Sequence, residues 1–122
     1  MKTVYRVEHI AYRHGPYHNS KGMSKRHQEL SVRMCGTATV AINPLPWEDG
    51  LDVNSEHLYC GFDSLISLLD WFILWLDELE AHDYHVAVFD VADVDIQVGG
   101  KQILFLRKKY RRTSAIRMNE VQ

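Results

Sequence analysis

Residue types that commonly do chemistry are plentiful in this 122-residue chain, and their spacing decides what they can do. Seven histidines, His9, His14, His18, His27, His57, His82 and His85, never fall into HxH or HExxH spacing with an acidic third ligand, so no metal site is expected. Cys35 and Cys60 belong to no CxxC pair, which argues against a zinc cage or disulfide framework and for a reducing compartment. Gly61-Phe62-Asp63-Ser64 lacks the GxSxG frame of a nucleophile elbow. The stretch Arg13-His14-Gly15-Pro16-Tyr17-His18, with Lys21 nearby, gathers cationic and hydrogen-bonding groups on a loop that could meet an anion. It holds neither GxxxxGK nor GxGxxG, and a solvated loop is the competing account. Tyr5, Arg13, His14, Tyr17 and Tyr59 are the candidate ligand contacts.

The run Arg107-Lys108-Lys109-Tyr110-Arg111-Arg112 is a polycation with one aromatic ring. Such a run can neutralise phosphates and stack on a base, or it can satisfy the acidic middle of its own chain. Charge is strongly segregated: residues 1–47 carry seven basic and two acidic residues, 48–100 thirteen acidic and none basic, and 101–122 seven basic and one acidic. The net charge of −2 conceals these blocks. The acidic block can be the wet faces of elements, or a negative surface offered to a basic partner. The two basic ends flank strands and are expected to converge on one positive surface opposite the acidic one.

These groups must be positioned by a fold, and the pattern predicts α+β. Residues 3–10 alternate Tyr5/Val7/His9 with Val4/Arg6/Glu8/Ile10 and read as a strand. Residues 57–62, 85–91 and 102–107 are three more, the last entered through a Gly99-Gly100 turn. Residues 13–28 read as a long loop, 30–42 as strand or loose helix, and 43–50 as a Pro- and Gly-containing loop. Asp63 or Ser64 is placed to cap one very apolar helix over 64–80. That helix is expected to pack on a small, mainly antiparallel sheet, with Trp71 or Trp75 in the core or meeting another chain as in a homo-oligomer. Residues 1–112 are expected to form one domain and 113–122 a flexible tail. Met1-Lys2-Thr3-Val4-Tyr5-Arg6 is charged where a secretory signal is apolar, and no apolar run spans a bilayer, so a cytoplasmic protein without membrane contact is expected.

Val4-Tyr5-Arg6-Val7-Glu8-His9, Gly15-Pro16-Tyr17, Pro46-Trp47-Glu48-Asp49-Gly50, Gly61-Phe62-Asp63-Ser64 and Gly99-Gly100-Lys101-Gln102-Ile103-Leu104-Phe105 together resemble a group of small proteins common in bacteriophage genomes. The resemblance covers nearly the whole chain and implies origin more than chemistry; a phage protein of this kind would act in the host cytoplasm. The order of elements is also similar to the ADP-ribosyltransferase fold. That likeness implies Arg6 on an NAD phosphate, Ser64 bracing the nicotinamide end and Gln102 at the position of a catalytic Glu. An amide lacks the charge that a carboxylate brings to an oxocarbenium-like transition state. The first functional expectation is therefore an accessory protein without a cofactor that binds a host macromolecule, a protein above all, with nucleic acid as an option through 107–112. The second is an NAD-binding or NAD-using domain acting through Arg6, Ser64 and Gln102.

Overall fold

The computed structural model describes residues 1–11, 58–99 and 102–120. The expected loops at 13–28 and 43–50, the segment 30–42, and Arg13, His14 and Tyr17 lie outside them.

The first strand, β1 (Lys2–His9), runs antiparallel to β3 (Tyr84–Val91) over its full length, from Lys2 opposite Val91 to His9 opposite Tyr84. On the other side of β3 lies β6 (Ser114–Arg117), again antiparallel. A second antiparallel sheet has the order β2 (Tyr59–Gly61), β5 (Ile103–Phe105), β4 (Ile96–Val98), with Gly99 N–H donating to the Gln102 carbonyl across the β4–β5 connection. Between β2 and β3 come two short helices, α1 (Leu65–Phe72) and α2 (Leu76–Ala81). Among the described residues no helix is long and apolar enough to cross a membrane.

The strand alternation of β1 and β3 sorts their side chains into two cores. Val7, Tyr84 and Val86 face the helices and meet Leu68, Phe72, Leu76 and Leu79, with Phe62 and Met118 closing the cluster. Val4, Ala87, Phe89 and Val91 face the other way and meet Ile103 and Phe105 of the second sheet. The β1–β3 sheet is thus a middle layer between helices and a second sheet. The expected single sheet is corrected to two, because β1 and β3 are apolar on both faces and each face needs its own cover. Arg6 and Glu8, interleaved with Val4, disguise the second apolar face in the sequence.

The expected long helix is also corrected. Ser64 caps α1 by accepting the Ser67 N–H at 3.2 Å, but the helix stops where Trp75 N–H bonds back to the Phe72 carbonyl at 2.8 Å. Trp75 leaves helical geometry at φ −122°, ψ 2°, and α2 begins afresh. Leu76 and Leu79, at helical spacing from Leu68 and Phe72, reach the same core from beyond the break. Asp83, at φ 67°, makes the reversal into β3, a conformation that Asp tolerates better than most residues. The segment from 113 onward, expected as a frayed tail, supplies β6 and a fully buried Met118. Thr113 is anchored by its N–H and hydroxyl on the Val88 carbonyl.

Beside these side-chain contacts, one backbone bridge joins the segment after β2 to β1. Tyr5 and Phe62 exchange backbone hydrogen bonds of 2.8 and 2.7 Å, which brings Gly61 against β1. A Cβ on Gly61 would lie 3.0 Å from Phe105 Cε1, 3.0 Å from Val4 Cγ1 and 3.1 Å from the Tyr5 carbonyl oxygen. The carbonyl is fixed by its own hydrogen bond and cannot yield. Gly61→Ala should therefore destabilise the protein by about 1–3 kcal/mol, the usual effect of overpacking a close contact. Urea unfolding checks this, and a melt unchanged from wild type would contradict the close approach.

Candidate functional site

Among the described residues, a cluster of ionisable side chains lies between the two sheets. Arg6 and Glu8 are two residues apart on β1 and so share its face toward the second sheet, as does His85, directly opposite Glu8 on β3. Glu8 is 1% exposed. Its Oε2 accepts from Arg6 Nε at 2.9 Å and from Arg107 Nε at 2.7 Å, and its Oε1 accepts from Arg107 Nη2 at 3.1 Å. Arg107 therefore grips the carboxylate with a two-pronged fork from a short 3-10 turn, Arg107–Lys109. Arg6 Nη1 continues to the Cys60 carbonyl at 2.8 Å, tying β1 to β2. Aromatic faces back the two guanidiniums: the Arg6 guanidinium carbon lies 5.1 Å from the centre of the Tyr59 ring, and that of Arg107 lies 4.5 Å from Phe89.

A second polar cluster fastens the basic run. The Tyr110 hydroxyl donates to Asp95 Oδ2, which also accepts from Lys109 Nζ at 2.9 Å, and the Ala92 N–H donates to the Tyr110 oxygen at 3.1 Å. The Tyr110 hydrogen bond first, then that of Lys109, holds the Asp95 carboxyl below its ordinary range. Further along, Arg112 Nη1 lies 3.0 Å from His85 Nε2. Arginine only donates, so this ring nitrogen accepts and the imidazole is neutral. Burial and then the Arg112 charge push the His85 pKa down, against an opposing pull from Glu8.

The residues singled out from the sequence are therefore differently employed. Of the basic run, Arg107 and Tyr110 are half-buried on Glu8 and Asp95, Lys109 and Arg112 are exposed yet bonded to Asp95 and His85, and Lys108 and Arg111 are exposed. Among the described residues, one arginine from each basic end, Arg6 and Arg107, meets on Glu8. Arg6 and Tyr59 are brought together; Tyr5 lies on the opposite face of β1, against the helical core. Ser64 is the cap of α1, its hydroxyl also within 2.9 Å of that of Ser67, and Gln102 is buried just before β5. Trp71 and Trp75 are half-buried against the core, Trp71 edge-on to Phe62. Burial raises the Cys60 thiol pKa, with Arg6 opposing, so the sulfur favours its neutral form. Among the described residues no group of His, Cys, Asp and Glu could hold a metal ion. The importance of Glu8 escaped the sequence reading; its signal was the Arg6-x-Glu8 spacing, which places opposite charges on one face of an otherwise apolar strand.

A family model described as the bacteriophage T4 Y00F protein matches residues 1–119. No curated protein and no solved structure matches the chain.

Two predictions follow from the ionic groups. Glu8→Gln leaves two guanidiniums without their carboxylate inside the protein, and should cost about 3–5 kcal/mol in urea unfolding, as breaking a buried pair does; a loss within the error of the measurement would contradict the burial. Acidification should weaken the fold in two stages. Both folded-state pKa values are depressed, so the unfolded chain binds protons first. The His85 contribution is complete above about pH 6.5 and declines below it; the Asp95 contribution declines below about pH 4. Unfolding midpoints measured across this range for wild type and Asp95→Asn should differ most near neutrality and converge in acid.

Proposed function

The chain belongs to the bacteriophage T4 Y00F protein family, and from that premise we propose that it is a phage accessory protein that binds a host macromolecule, a protein above all, and alters its activity without catalysing a reaction. The observation that carries this reading is the closure of the ionic clusters. Arg6, Glu8 and Arg107 satisfy one another, and Asp95, Lys109 and Tyr110 do the same. Groups locked into structural hydrogen bonds are poorly placed to bind a substrate and follow its changing charge.

The ADP-ribosyltransferase-like alternative requires Arg6 to take a phosphate. Arg6 would first have to give up Glu8 and the Cys60 carbonyl, and Ser64 would have to leave its cap. Recognition of nucleic acid through 107–112 faces a similar difficulty, since Arg107, Lys109 and Arg112 already have partners. Among the described residues, the stretch 63–77 exposes Asp63, Ile66, Asp70, Ile73, Leu74 and Asp77, acidic and apolar groups that suit contact with a protein.

In calorimetry the protein should show no heat of binding with NAD, and a tagged copy expressed in the bacterial host should retain one host protein after crosslinking and stringent washing. Saturable NAD binding abolished by Arg6→Ala would overturn the proposal, as would failure to retain any host protein.

A further inference from the structure

The outer side of the helical layer has an unusual composition. Between 63 and 77 the exposed residues are Asp63, Ile66, Asp70, Ile73, Leu74 and Asp77, three acids alternating with three branched aliphatics. Ile66 is 74% exposed, Ile73 60% and Leu74 83%. Their spacing of three and four makes one stripe along α1 and onto the break before α2. Single exposed aliphatics are ordinary, but three on one stripe form a patch of the kind that contacts another molecule. Leu76 lies in the core with Leu68 and Phe72, and Ile73 and Leu74 stay outside with Ile66.

The charge around the patch identifies its occupant. The block 48–100, in which the stripe lies, contains thirteen acidic residues and no Lys or Arg. Outside the stripe, α2 holds Arg117 through Glu80 at 2.8 Å. An apolar ridge with carboxylates before, between and after its aliphatics complements a segment whose apolar side chains are flanked by Lys or Arg. A nucleic acid or an anionic membrane would be repelled by the same carboxylates.

We propose that the stripe Asp63, Ile66, Asp70, Ile73, Leu74 and Asp77 docks a basic amphipathic segment of a partner protein. This rests on the host-binding reading and names its surface and the chemistry of its partner. The aliphatics bury the partner's apolar face, and the aspartates select its charge and speed its approach.

The test uses the full chain, isotopically labelled, and two synthetic helical peptides with the same leucine face, one flanked by lysines and the other by glutamates. The lysine peptide should bind at least about tenfold more tightly, weaken with added salt, and shift the amide signals of Ile66, Asp70 and Leu74. Ile73→Ser with Leu74→Ser should abolish binding while leaving the melting temperature unchanged, because neither side chain is buried. Asp70→Lys with Asp77→Lys should reverse the preference toward the glutamate peptide. Equal binding of both peptides, no binding of the lysine peptide, or shifts confined to Lys108 and Arg111 would overturn the inference. Its failure is distinguishable from that of the wider reading. A host protein retained equally by wild type and by the Asp70→Lys, Asp77→Lys variant would remove this surface and leave host binding standing, whereas no retention by wild type would remove host binding itself.

Discussion

One carboxylate, Glu8, joins parts of the chain that are almost a hundred residues apart. It sits on the middle layer, takes Arg6 from its own strand and a forked Arg107 from beyond the last strand of the second sheet, and through Arg6 reaches the backbone of β2. Burying these charges is costly, and the arrangement is tolerable only because each has partners of good geometry and the guanidiniums rest on aromatic rings. Remove the carboxylate and the second sheet keeps its hydrocarbon contacts but faces two uncompensated cations. The cluster therefore sets the register between layers, while Val4, Phe89, Ile103 and Phe105 supply the nonpolar contact.

The other features of the middle layer follow from that sandwich. Gly61 is required where the sheets approach closest. The basic run after β5 is drawn inward at Arg107, pinned at Asp95 by Lys109 and Tyr110, and returned to β3 as β6. A segment that looks like a polycation in the sequence is largely a strap across the protein. In the helical layer Glu80 takes Arg117, while Asp63, Asp70 and Asp77 are exposed.

Much of the fold was legible in the residues. β1 and β3 announced themselves by alternation and β-branched composition, Ser64 by its position before an apolar run, and the α+β class by the order of these elements. The number of sheets was not legible, because Arg6 and Glu8 interrupt the second apolar face of β1 and only the distant Arg107 explains their presence there. The helix break was hidden for a different reason: the mainly apolar stretch from Leu65 to Leu79 keeps one helical face through Leu68, Phe72, Leu76 and Leu79, and has no Pro or Gly to mark the stop where the Trp75 N–H bonds to the Phe72 carbonyl. The strand β6 was masked by Arg111, Arg112 and Arg117, against which Ile116 and Met118 leave a faint signal. Of the candidate site, the residues were named but their roles were not. Arg6 and Arg107 stood among the candidates, and the group that binds them both, Glu8, did not.

The central claim is that Glu8 and Arg107 act as one unit across the layers. A double-mutant cycle in urea unfolding, comparing wild type, Glu8→Ala, Arg107→Ala and the double variant, measures it directly. The account predicts a coupling energy of about 1.5 kcal/mol or more, with the double variant less destabilised than the sum of the single ones. Strict additivity would mean that the two side chains do not depend on each other, and would contradict it.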